Sequence, residues 1–173
     1  PPPPPPPPFF FQEDHAIRDP LWSRGLGDVY KRQIEPEKNI DLAKEQLQIK
    51  YGKLLTSSIY KTKAVGFKGD DFLNLVIKTS TSDSPETVID YLHYIERQTG
   101  RETGTGQFNS RTLDIDLLLY GDLIDASLNL PRDEILKYGF VLEPLVEIFP
   151  EGKHPIENRP YKEIFLELET SIS

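Results

Sequence analysis

Two aspartates stand one residue apart in the run from Arg111 to Gly121, RTLDIDLLLYG. A strand turns successive side chains to opposite faces, so Asp114 and Asp116 share one face while Leu113, Ile115, Leu117 and Leu119 take the other. On a strand, Cα atoms two residues apart lie roughly 6.5–7 Å from each other, close enough for both carboxylates to serve one or two hard cations. Aspartate is a poor strand former, and two of them inside a hydrophobic run call for a reason. A polar, solvent-facing edge strand would show the same spacing.

Arg111 directly precedes this run, and Arg101 lies upstream across the glycine- and threonine-rich stretch TGTGQFNS. Magnesium held by one or two carboxylates, completed by phosphate oxygens and flanked by guanidinium groups, is the usual arrangement for phosphoryl transfer. Taken singly, each arginine also fits a surface ion pair with one of many acidic neighbours. Together they favour a polyphosphate site.

These residues need a scaffold. Ile40, Ala43, Leu47 and Tyr51 recur at the spacing of an amphipathic helix over 36–51, with Pro36 in its first turn and Gly52 at its end. Lys53–Lys63 and Asp71–Thr81 are rich in β-branched and aromatic residues and predict two strands. Ser84 and Pro85 open a second helix, with Val88, Leu92 and Ile95 as its apolar stripe and Gly100 as its stop. Thr112–Tyr120 is the next strand, Asp122–Ile124 continues it as a ribbon, and short helices broken by prolines follow Arg132. The order helix, strand, strand, helix, strand predicts an α+β fold, a ferredoxin-like antiparallel sheet with helices packed on it, lacking only a first strand.

Residues 1–33 are different. A proline octet and three phenylalanines lead into QEDHAIRDPLWSRGLGDVYKRQ, with no sustained period of 3.6 or 2. Proline octets form polyproline II spacers or ligands for aromatic grooves. The stretch Ser23–Gln33, SRGLGDVYKRQ, looks instead like a translated sequencing-library adapter, and QEDHAIRD like the part upstream of it. Residues 1–33 are therefore expected to be non-native and without packed structure, with the native first strand replaced and residues 34–173 as the one genuine domain. The absence of methionine agrees with a replaced start.

The four acidic and four basic residues of 1–33 cancel, so the net charge of −8 belongs to residues 34–173. Such a charge disfavours a nucleic-acid backbone as partner. With no cysteine there is no disulfide framework, thiolate metal site or cysteine nucleophile. No apolar run is long enough to span a bilayer, and the reading is of a cytoplasmic protein with no membrane partner.

The segments SSIYKTKAVG, DDFLNLVIKT, IERQTGR, RTLDIDLLLYG, LPRDEI and GFVLEPLVEIFP carry a likeness that runs from Ile34 to Glu169. In them the chain resembles the 6-hydroxymethyl-7,8-dihydropterin pyrophosphokinases of folate biosynthesis. The resemblance implies a transferase that moves pyrophosphate from ATP to the pterin alcohol, and a monomer is expected. It implies that Asp114 and Asp116 hold two Mg2+ ions and that Arg101 and Arg111 contact the ATP phosphates. Phe72 and Phe140 would stack on the two pterin faces, Thr62 and Asn74 would bond its edge, and Val65 and Gly66 would line the pocket through backbone. His93, Glu96 and Arg132 fall on the nucleotide side. The implied reaction is in-line attack of the hydroxymethyl oxygen on the β-phosphorus, with AMP leaving and no protein nucleophile.

The residue types agree with those roles, since a flat bicyclic ring wants aromatic faces and a few fixed polar partners. Without the resemblance, Phe72 and Phe140 would also fit the core, His93 a helix surface, and His154 a structural or exposed position. The chain departs from the family pattern in its start, in Phe108 where tryptophan is frequent, and in Thr103 and Gln107 where bases are frequent. Arg132 replaces a common histidine and Tyr138 a common arginine, which a phenol cannot imitate. A catalytically impaired pterin- or nucleotide-binding relative is the alternative. An RNA-binding module of similar fold is disfavoured by the acidic balance.

Overall fold

A computed structural model describes residues 8–14, 26–62, 72–101 and 113–172, with side-chain surroundings described for 37–61, 73–98 and 113–171. The elements are β1 (Pro8–Asp14), α1 (Leu26–Tyr51), β2 (Leu55–Thr56), β3 (Tyr60–Thr62), β4 (Phe72–Ser80), α2 (Pro85–Arg101) and β5 (Asp114–Tyr120). A 3-10 turn at Ala126–Leu128 and helices α3 (Glu134–Lys137), α4 (Gly139–Ile148) and α5 (Tyr161–Ile172) complete the chain. The sheet runs β2-β4-β1-β5 with β3 on β4, and every pairing is antiparallel. This is an α+β fold.

The helical period reads correctly. Ile40, Ala43 and Leu47 of α1 and Val88, Leu92 and Ile95 of α2 are almost fully buried, and they pack with Leu73, Leu75 and Ile77 of β4 on one face of the sheet. Ser84 caps α2 by accepting the Thr87 N–H at 3.2 Å, with Pro85 as its first residue. Gly52 ends α1 at φ +81°, where a side chain would strain the backbone. The opposite face carries a second cluster, in which Val76, Leu118 and Leu119 meet Ile135, Val141, Leu142, Leu145 and Tyr161.

Four expectations need correction. Helix α1 begins at Leu26, not Pro36, because LGDVYKRQIE is composed largely of adequate helix formers and one internal proline removes only one helical bond. The strand expected over 53–63 is split into β2 and β3, since buried Ser57 leaves the regular ladder: its N–H donates to Val76 O and its Oγ accepts from Val76 N, both at 2.9 Å. Helix α2 continues one residue past Gly100. Asp122–Ile124 forms no ribbon; Leu123 N–H turns back onto Tyr120 O, and the chain enters a bridge between Asp125 and Leu130.

The fifth difference is the largest. Pro8–Asp14, within the segment expected to lack packed structure, pairs with both β4 and β5 and occupies the centre of the sheet. The reason lies in the backbone: β4 and β5 each present a row of peptide groups that must be bonded, and three consecutive phenylalanines favour the extended form that bonds them.

Candidate active site

The register on β1 shifts at one point. Phe11 pairs with Leu117 and Phe10 with Leu119, so Leu118 is an extra residue in β5. Such a bulge breaks strict alternation. Leu113, Ile115 and Leu117 enter the first core cluster as expected, but Leu118 and Leu119 both enter the second, and Tyr120 returns to the first. The expected grouping of Leu119 with Leu117 therefore fails beyond the bulge. Asp114 and Asp116 lie before it, on the face opposite α1 and α2, and alternation on β4 puts Asn74 on that same face.

Asn74 is almost fully buried. It lies two strand spacings from the β5 aspartates, roughly 10 Å across the sheet. Phe140, in the first turn of α4, is half-buried and stacks on Tyr138 with ring centroids 5.1 Å apart and planes 18° apart. Phe140 also lines a cavity of about 730 Å³ with Tyr60, Lys61, Glu143, Phe165 and Leu168. Neither Asn74 nor the aspartates are among its walls, so this cavity does not join Phe140 to them.

Among the described side chains, Arg132 is the cation beside the carboxylate pair. Its backbone N–H donates to Leu118 O at 3.0 Å, which fixes it alongside β5. Its Nη1 approaches Asp116 Oδ1 at 3.5 Å. Glu134 grips the guanidinium from the other side, accepting from Nη2 at 2.6 Å and from Nε at 3.2 Å. Burial works against the Arg132 charge, but Glu134 and Asp116 outweigh it and raise its pKa. Burial raises the Asp116 carboxyl above its ordinary value; Arg132 opposes this, while Asp114 and Glu134 add to it.

Helix α2 reaches the same strand from the other side. Glu96 Oε1 accepts the Ile115 backbone N–H at 2.7 Å, on the outer edge of β5 and between the two aspartates. Burial raises the Glu96 pKa, the Ile115 N–H opposes, and Asp114 adds to the rise. His93 is exposed on α2, on the side of the helix near Glu96 and Asp116.

Of the expected site residues, Asp114, Asp116, Glu96, His93 and Arg132 thus come together around β5, with Asn74 and Phe140 on the sheet face that the aspartates share. Thr62 and Phe72 pair in register between β3 and β4, but their side chains lie outside what is described. The same holds for the Arg101 side chain, while Val65, Gly66 and Arg111, with Thr103, Gln107 and Phe108, lie outside the described residues altogether. His154 is structural and not exposed: it is almost fully buried, and its Nδ1 accepts from Ile156 N and Glu157 N. Sequence reasoning missed Glu134. Its signal was an acid two residues after an arginine in LPRDEI, too common a pattern to single out.

Two carboxylates on one strand face suit an ion that takes one or two protein ligands and completes its octahedron with water and phosphate oxygens. Among the described residues no cluster of three or more candidate ligands encloses a metal by protein alone. A sheet that presents paired carboxylates beside a clamped arginine has the layout of a metal-assisted phosphoryl-transfer enzyme. The family model for 7,8-dihydro-6-hydroxymethylpterin-pyrophosphokinase matches residues 31–150, and the chain belongs to that family. It is therefore an ATP-dependent pyrophosphokinase of folate biosynthesis, transferring pyrophosphate to hydroxymethyldihydropterin.

Among relatives, the 2-amino-4-hydroxy-6-hydroxymethyldihydropteridine pyrophosphokinase of Aquifex aeolicus is 36% identical over 110 residues, covering 62% of this chain and 68% of that protein. The enzyme of the same name from Haemophilus influenzae is 40% identical over 96 residues, covering 54% of this chain and 59% of its own length. The folate synthesis bifunctional protein of Arabidopsis thaliana is 34% identical over 105 residues, which are 59% of this chain and 21% of that longer protein.

Proposed function

We propose that Asp114 and Asp116 are the metal-holding residues of the transfer, that Arg101, Arg111 and Arg132 hold the ATP phosphates with His93 and Glu96 on the nucleotide side, and that Thr62, Val65, Gly66, Phe72, Asn74 and Phe140 receive the pterin. The observation that carries this reading is the convergence of Asp114, Asp116, Arg132 and Glu96 on one end of β5. Asp114 and Asp116 would hold two magnesium ions, which would supply charge neutralisation to the transfer when bound. The protein's part is positioning: arginines grip the polyphosphate in line with the pterin hydroxymethyl group, and the aromatic residues hold the ring. The hydroxymethyl oxygen forms a bond to the β-phosphorus, the bond from that phosphorus to the α-β bridging oxygen breaks, AMP leaves, and the hydroxyl proton is released.

The proposal extends to a ferredoxin-like plan, supported by β1 and β4 lying inside the sheet with β2 and β5 outside. It extends also to a cytoplasmic monomer with no nucleic-acid or membrane partner and to a non-native origin for residues 1–33. The cysteine-free composition suits the cytoplasm and the acidic balance disfavours a nucleic-acid partner, and among the described residues no helix is long and apolar enough to cross a membrane. The adapter-like run Ser23–Gln33 supports the non-native origin. AMP formation from ATP tests the functional reading: AMP is expected only with both hydroxymethyldihydropterin and magnesium present. Pterin binding without any pterin-dependent AMP would leave the impaired-relative reading in its place.

A further inference from the structure

Among the described residues Arg132 has two acidic partners, and they hold it unequally. Glu134 makes a two-pronged contact at 2.6 and 3.2 Å, whereas Asp116 is reached by Nη1 alone at 3.5 Å. A two-pronged carboxylate fixes the plane of a guanidinium as well as its place. The Arg132 and Glu134 side chains are only 24% and 30% exposed, so the pair is less screened than a surface one. The Arg132 backbone is itself pinned to Leu118. Only the far end of the side chain is left to be positioned, and Glu134 positions it.

We propose that Glu134 is a positioning residue: it holds the Arg132 guanidinium back from Asp116 and turned toward the polyphosphate. Without it, the nearest remaining acid in contact is Asp116, and the guanidinium closes onto that carboxylate. Two contacts would then be lost at once, since Asp116 is taken from the cation and Arg132 from the phosphate. The inference rests on the proposed function, which makes Asp116 a metal ligand and Arg132 a phosphate partner.

Charge alone gives the opposite sign. Removing a negative charge beside a metal–nucleotide complex of net negative charge should tighten binding, whereas loss of positioning should weaken it. The test is calorimetric titration of the protein with the manganese complex of α,β-methylene-ATP, whose bridging carbon blocks transfer. Glu134→Gln keeps size and removes charge, and is expected to weaken binding by about fivefold, the scale of one lost hydrogen-bonded contact. Glu134→Asp, which restores the carboxylate at shorter reach, should recover part of the loss. In an Arg132→Met background, Glu134→Gln should change binding by less than about twofold, because the two residues act as one unit.

Tighter or unchanged binding by Glu134→Gln, or equal weakening in both backgrounds, would overturn the inference while leaving the proposed function standing. No binding of the complex by the unaltered protein would overturn both.

Discussion

Glu96 accepts the Ile115 N–H at 2.7 Å, and this one bond ties α2 to the outer edge of β5 midway between Asp114 and Asp116. An edge strand presents a row of unpaired peptide groups, and here an acid fills one of them. Glu96→Ala removes the acceptor from a half-buried N–H and should lower stability by about 1–2 kcal/mol. Glu96→Gln keeps an acceptor oxygen and should lose less than half of that. Urea unfolding of the two variants checks the difference; equal losses would mean that the contact is not what Glu96 contributes.

Tyr138 stacks its ring on Phe140. If Phe140 is one face of the pterin site, Tyr138 steadies it from behind. Tyr138→Ala should raise the KM for the pterin by roughly two- to tenfold, the range of a single aromatic stacking contact, while the KM for ATP moves little. A change confined to ATP would instead place Tyr138 on the nucleotide side.

His154 gives the fold a pH dependence. Burial lowers its pKa, with the Glu157 charge opposing, and its Nδ1 must stay unprotonated to accept from Ile156 and Glu157. As pH falls through about 6.5 the unfolded chain takes up a proton that the folded chain refuses. The His154 contribution is therefore fully present above that pH, declines as pH falls toward the lower folded value, and levels off below it. Unfolding free energies at pH 7.5 and 5.5 should differ more for the unaltered protein than for His154→Asn. An identical difference in both would contradict a neutral, structural His154.

Strand β1 joins the two halves of the sheet, pairing with β4 on one side and β5 on the other. Removing residues 1–14 would expose two central strand edges at once. The loss should exceed the roughly 5–15 kcal/mol by which domains are stable, so circular dichroism should show a broad, non-cooperative melt. A sharp transition within a few degrees of the full chain's would show that β1 contributes little to the fold.

What could be read from the sequence followed from period and residue type. The stripes Ile40–Ala43–Leu47 and Val88–Leu92–Ile95 repeat at helical spacing because each faces the same sheet, and both are buried as expected. The shared face of Asp114 and Asp116 followed from alternation alone. Three features were not legible because each depends on a neighbour distant in sequence. The Leu118 bulge exists only in register with β1. The strand at Pro8–Asp14 is selected by the gap between β4 and β5, not by any period of its own. Glu134 acquires its meaning from the place of Arg132 beside Asp116.

Asp114 and Asp116 are proposed to carry the transfer. Replacing either by asparagine preserves shape and, for Asp116, relieves a carboxylate whose charge burial already disfavours. Single-turnover AMP formation from magnesium–ATP and hydroxymethyldihydropterin should fall at least about a thousandfold in Asp114→Asn and in Asp116→Asn, the scale of several kcal/mol of metal-borne charge stabilisation. Pterin affinity and unfolding free energy should stay near those of the unaltered protein. Turnover within about tenfold of the unaltered protein in either variant would contradict the claim.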